Sequence, residues 1–226
     1  MTPAARPFRF AAALALVLAL CAVLAQRPAL AAPSDPDVTA GAAAFDSGRY
    51  DEAFRLFKKA AARSVPLAQF NLAVMLIEGQ GVPRDEAEGL MWLRKACDAG
   101  LARAQYSLGV FYDRGEHVAK STTEATRWFA KAAEQGWRDA QVSLATQYFL
   151  GRGAPKDYKE AAKWYERAAK QGDEGASYII ASMYEHGDGV EENPQLAFYW
   201  YSQAAALGDA TAEIKAREVL KKLRPD

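Results

Sequence analysis

The chain has 226 residues, half of them apolar, with 28 basic and 28 acidic side chains. That composition supplies a core for one large domain or a short repeat array, and a formal charge of zero excludes the basic footprint of a nucleic-acid binder. The two cysteines, Cys21 and Cys97, stand in unrelated contexts and form no CxxC, so no zinc or redox motif is present.

In chain order, Arg6 and Arg9 precede an apolar run from Phe10 to Ala25, and Ala29-Leu30-Ala31 offers a small-x-small cleavage site. The run is short for a membrane span, so residues 1–31 read as a secretory signal peptide cut after Ala31 or Ala32. Leu20 stands where a lipobox before Cys21 needs a small residue, which argues against a lipoprotein. The mature chain is then expected in the periplasm or outside the cell, with no membrane span. Residues 32–37 make a flexible lead-in. Cys97 remains as the one thiol of the mature chain, and it replaces an alanine of the repeat described below, so a buried packing role is expected for it.

Residues 38–67 carry Gly48, Tyr50, Ala53, Phe57 and Ala60 in a pattern that suits a capping pair of helices with a short turn. From Ala68 onward one period dominates. Ala68, Ala104, Ala140, Ala176 and Ala212 are each 36 residues apart, and Trp92, Trp128, Trp164 and Trp200 keep the same spacing. A fixed period of this length signals a stacked array of helical units, here 68–103, 104–139, 140–175 and 176–211. A last helix, 212–226, closes the array and is expected to cover it with Ile214, Val219, Leu220 and Leu223.

Each unit reads as two helices. The first places Phe70, Leu72 and Leu76, and their equivalents downstream, at helical spacing beside the small residues Ala73, Gly109, Ala145 and Ala181. It ends at Gly79, Gly115, Gly151 or Gly187, which close a helix in the left-handed conformation at low cost. A second glycine follows at Gly81, Gly153 and Gly189, whereas the second unit has His117 there. Asp85, Ser121, Asp157 and Asn193 then cap the second helix. Glu88, Glu124 and Glu160 stand three residues on, the spacing of a reciprocal capping box. The second helix carries Trp and Ala on one stripe, the pattern of close packing between antiparallel helices. Burying one large side chain of that stripe contributes roughly 1.5–3 kcal/mol.

The A-x-[FY]-x-L-[AG] pattern, the Gly79–Val82 turn and the A-x-x-W-[YF]-x-[KR]-A-A-x-x-G run at Ala161–Gly172 resemble the Sel1-like repeat family, relatives of the tetratricopeptide repeats. The departures are Glu116-His117 in the second turn, Val142 at an aromatic position, and Leu101 and Trp137 where other units have Asp173 and Asp209. The resemblance implies an all-α, right-handed α-solenoid of helix-turn-helix repeats. It also implies a scaffold or adaptor that holds a protein or peptide in a concave groove. Exported members of similar layout suggest a role in surface signalling or exopolysaccharide production.

Motifs of catalysis are missing: no G-x-S-x-G, S-x-x-K, H-E-x-x-H or Walker loop occurs, and no cofactor or metal is called for. A β-lactamase-like hydrolase is disfavoured because the paired cysteines of such relatives are lacking here. Peptidoglycan or carbohydrate handling stays open, since acids are scattered over every unit and Trp137 lies off the tryptophan register. Mapped on the first helices, the groove reading puts Asn71, Ser107 and Ser143 in one row and Val74, Val110, Thr146 and Ser182 in the next. Asp113, Arg114, Glu185 and His186 lie near the turns.

Overall fold

Proline at the first position starts three of the described helices, and apolar stripes of 3.6-residue period orient them on one another. The computed structural model describes residues 35–224, so the proposed signal peptide and Cys21 lie outside the described residues. Eleven α-helices and no strand are present among them. The capping pair is α1 (Pro36–Asp46) and α2 (Tyr50–Ala62). Four pairs follow: α3 (Pro66–Glu78) with α4 (Glu86–Asp98), α5 (Ala102–Arg114) with α6 (Thr122–Glu134), α7 (Arg138–Leu150) with α8 (Tyr158–Lys170), and α9 (Glu174–His186) with α10 (Pro194–Leu207). α11 (Ala210–Leu223) stacks on α10. Each helix packs on its neighbours in sequence, which makes the chain an α-solenoid. The first helices begin two residues ahead of the alanine register that marks the units.

Left-handed glycines close the first helix of every full unit, with φ of 70°, 74°, 69° and 73° at Gly79, Gly115, Gly151 and Gly187. The second glycine answers a different demand. A Cβ on Gly153 would lie 2.1 Å from the Thr122 carbonyl oxygen, and one on Gly189 would lie 2.3 Å from Tyr158. Each of these glycines lets its turn press against the start of the preceding unit's second helix. In the second unit His117 adopts φ 61° instead, packs edge-on against Phe111 at 4.6 Å and reaches Glu86 at 3.2 Å. A side chain thus fills the space that glycine elsewhere leaves to the backbone.

The capping boxes are made only in their forward half. Asp85, Ser121, Asp157 and Asn193 accept from the backbone of Glu88, Glu124, Glu160 and Leu196. The return bond expected from the glutamates is absent because the cap amides already donate to Leu76, Tyr112, Tyr148 and Tyr184 carbonyls at 2.8–3.0 Å. That bond locks the loop onto the end of the first helix. Glu88 is left to accept from the Trp92 indole, Glu124 from Arg127 and Glu160 from Lys163.

Apolar packing runs along the array in three clusters, from Val38 to Leu76, from Phe70 to Trp128 and from Ala125 to Val219. Trp128, Trp164 and Trp200 are buried, as their register predicts, while Trp92 is half-buried. Their outer edges are roofed by cations: Lys95 over Trp92, Lys131 over Trp128 and Arg167 over Trp164, at 4.1–4.6 Å. The stems of these side chains cover apolar surface while their charges stay wet. In α11 the seal differs from expectation. Ala212, Ala216 and Val219 are buried, whereas Ile214 is 57% exposed, because it sits on the helix face turned from α10.

Candidate functional site

Helix spacing sets which polar residues share the face of the first helices, and the fold then decides which of them are already engaged. Gln147 and Arg152 both donate to Asp113 at 3.0 Å, tying the second unit to the third. Glu185 accepts from Tyr201 and from Lys222 at 3.0 Å, which pins α11 to the fourth unit. Burial works to raise the Glu185 pKa, but the bonds from Lys222 and Tyr201 outweigh it and leave the carboxyl below its ordinary value. Thr146 shares a hydrogen bond with the Tyr165 hydroxyl, and Ser143 stands close enough to Tyr106 to work against the rise that burial gives its pKa. His186 and Ser182 meet each other at the end of α9. Arg114 is exposed and lies 3.8 Å from Glu116. Among the predicted residues, Asn71 and Ser107 have side chains with no polar partner among the described residues.

At the N-terminal end this face opens into a cavity of about 170 Å³. Phe45 of α1, Leu67, Asn71 and Val74 of α3, and Arg103 of α5 line it, so the first helices of three consecutive units share one space. The volume is of the order that accepts a benzene-sized group.

Arg103 and the buried glutamines escaped the sequence reading. Arg103 lies on α5 with its guanidinium 5.7 Å from the Phe70 ring and 5.9 Å from the Trp137 ring, and burial pulls its pKa down. No position in the 36-residue register singles it out. The glutamines do keep that register: Gln69, Gln105 and Gln141 are all buried. Gln105 and Gln141 donate to the carbonyls of Cys97 and Ala133, and they accept from Gln135 and Gln171 at 2.7–2.8 Å. Gln69 lacks that second partner because Ala99 stands where Gln135 and Gln171 stand, and its oxygen is left without a donor. Polar residues at a fixed core position are the signal that would have found this ladder.

Trp137 is not an open platform. It is half-buried, and its indole N–H is buried without an acceptor. Cys97 is buried and free, and burial pushes its thiol up to about 12, as a packing side chain requires. No three His, Cys, Asp or Glu side chains gather as a metal site among the described residues, and no helix among them is long and apolar enough to cross a membrane.

The fold and this shared face define a helical-repeat protein of the solenoid class. The Sel1 repeat model matches residues 49–65, 66–101, 102–137, 138–173 and 175–209, and the chain belongs to the Sel1 repeat family. A solved protective antigen of uropathogenic Escherichia coli strains is 33% identical with a TM-score of 0.75; the match covers 82% of this chain and 41% of the antigen. This chain therefore corresponds to less than half of that protein. A Sel1 repeat protein from Oxalobacter formigenes is 32% identical with a TM-score of 0.75, over 80% of this chain and 74% of its own. Among curated proteins none matches this chain.

Proposed function

We propose that this chain is an exported, non-catalytic scaffold of the cell envelope that holds a protein or peptide partner on the face of its first helices. The observation that carries this reading is the cavity shared by α1, α3 and α5, with Asn71 unengaged in its wall. Sel1 repeats generally mediate protein interactions, which supports the class of partner. The Arg6/Arg9, Phe10–Ala25 and Ala29-Leu30-Ala31 series supports export. Against carbohydrate handling, the Trp137 ring is half-buried and has Arg103 5.9 Å from its centre. Against hydrolysis, Asp113 and Glu185 are held by Arg152 and Lys222.

Photo-crosslinkers placed at Asn71 and Ser107 in the native host test the reading. One recurrent protein adduct is expected from these two positions and none from Lys131 or Arg167 on the outer side of the second helices. Adducts confined to the outer positions, or none at all, would overturn it. In the same preparation, N-terminal sequencing is expected to begin at Ala32 or Pro33, and an intact Met1 would exclude processing.

A further inference from the structure

Arginine pairs with acids almost wherever this solenoid offers one. Arg63, Arg84, Arg127, Arg138, Arg152 and Arg217 all do so. Arg55, Arg94, Arg167 and Arg224 make no ion pair among the described residues, but they are exposed and open to water. Arg103 differs from both groups: it is half-buried like Arg138, but unlike Arg138 it has no carboxylate within ion-pair distance among the described residues. A guanidinium carries five N–H donors in a rigid fork, and Arg103 holds them half-withdrawn from water, still accessible and without a protein acceptor among the described residues. The rings of Phe70 and Trp137 flank it and restrict where the fork points. The Trp137 indole N–H, beside it, is buried without an acceptor. Beside these donors lies the apolar cavity, which Arg103 itself helps to line.

We propose that Arg103 and this cavity form a recognition pocket for an acidic peptide segment: a glutamate or aspartate carboxylate docks on the guanidinium, and a neighbouring apolar side chain enters between α1 and α3. The proposal rests on the reading of the first-helix face as the binding face and names what that face selects. One arginine with no lysine in the lining matches the single charge of a carboxylate better than the multiple charge of a phosphate. Phe45, Leu67 and Val74 supply an apolar wall for the adjacent side chain, and the Asn71 amide is placed to bond peptide backbone. Asp46, the one acid of the lining, is exposed and leaves the guanidinium unpaired.

The test is selection from a random octapeptide phage library on the purified full chain, followed by affinity measurement with the synthetic consensus peptide. Enriched peptides are expected to place Asp or Glu next to Leu, Ile, Val, Met or Phe. Replacing the peptide's acid by its amide, or Arg103→Gln in the protein, is expected to weaken binding roughly tenfold or more. Arg103→Lys keeps the charge without the fork and is expected to recover only part of the loss. Thermal unfolding of Arg103→Gln should be unchanged or raised, since a half-desolvated charge without an ion-pair partner is removed, which separates lost recognition from lost folding. No enrichment, or enrichment of basic or neutral peptides, overturns the pocket. Acidic peptides that bind Arg103→Gln equally well also overturn it, and they leave the scaffold reading standing. Concentration-dependent dimers that Arg103→Gln disperses, seen by light scattering, would assign the pocket to a second copy instead. The scaffold reading itself falls only if the crosslinkers at Asn71 and Ser107 capture nothing.

Discussion

Ser64 holds a left-handed backbone, φ 62°, at the position where later units carry Gly100, Gly136, Gly172 and Gly208. A side chain in that region costs roughly 1–2 kcal/mol, and glycine gives back part of it through the greater freedom of its unfolded chain. Ser64 is exposed, so Ser64→Gly removes no packing. The substitution is expected to stabilise the protein by roughly 0.5–1 kcal/mol in chemical denaturation. A lower midpoint would mean that the serine contributes something its geometry does not show. Gly153 lies at the other extreme. Gly153→Ala meets both the left-handed angle and the Thr122 carbonyl oxygen, so it is expected to cost at least roughly 1–3 kcal/mol, read from the same denaturation curve.

At the scale of elements, α11 is held by few large side chains and by the bond from its Lys222 to Glu185, a carboxylate that Tyr201 of α10 also engages. The folded pKa of Glu185 lies below the ordinary value of 4.5. Its contribution is therefore fully present above that value and is lost as pH falls through the lower folded one. Glu185→Gln is expected to lower the denaturation midpoint at pH 7, and the gap to wild type should close as pH drops below that ordinary value and through the folded one. A gap of equal size at pH 3 would show that the charge does not hold α11. The exposed Ile214 fits this picture, since the helix is sealed by Ala212, Ala216 and Val219 on one narrow stripe.

Over the whole described array each helix pair leans mainly on its neighbours, so damage is expected to stay local. Trp164→Ala empties a buried site between Lys163 and Arg167 and is expected to cost roughly 3–5 kcal/mol. Hydrogen exchange should rise in α7–α10 more than in α1–α3. A uniform rise would mean that the array unfolds as one cooperative block. The glutamine ladder joins successive units through the bonds of Gln105 and Gln141 to the Cys97 and Ala133 carbonyls, while Gln135 and Gln171 brace those glutamines from within their own units, and it stops at Gln69, for which Ala99 supplies no donor.

The register of Ala, Trp and Gly was enough to give the unit length, the two helices of each unit and the buried side of the second helix. Those features are periodic because each unit meets the same neighbours. Reciprocal capping was read one step too far, since nothing local tells that the Asp85 amide donates to Leu76 across the loop. The candidate site was legible only as a row of variable positions. Sequence placed Asn71, Asp113 and Glu185 on one face. Only the packing of adjacent units separated Asn71, left free, from Asp113 and Glu185, held by Arg152 and Lys222. Arg103 stayed hidden for the same reason. Whether an arginine finds an acid depends on side chains from other units, and Phe70 and Trp137, 33 residues before it and 34 after it, surround it in space.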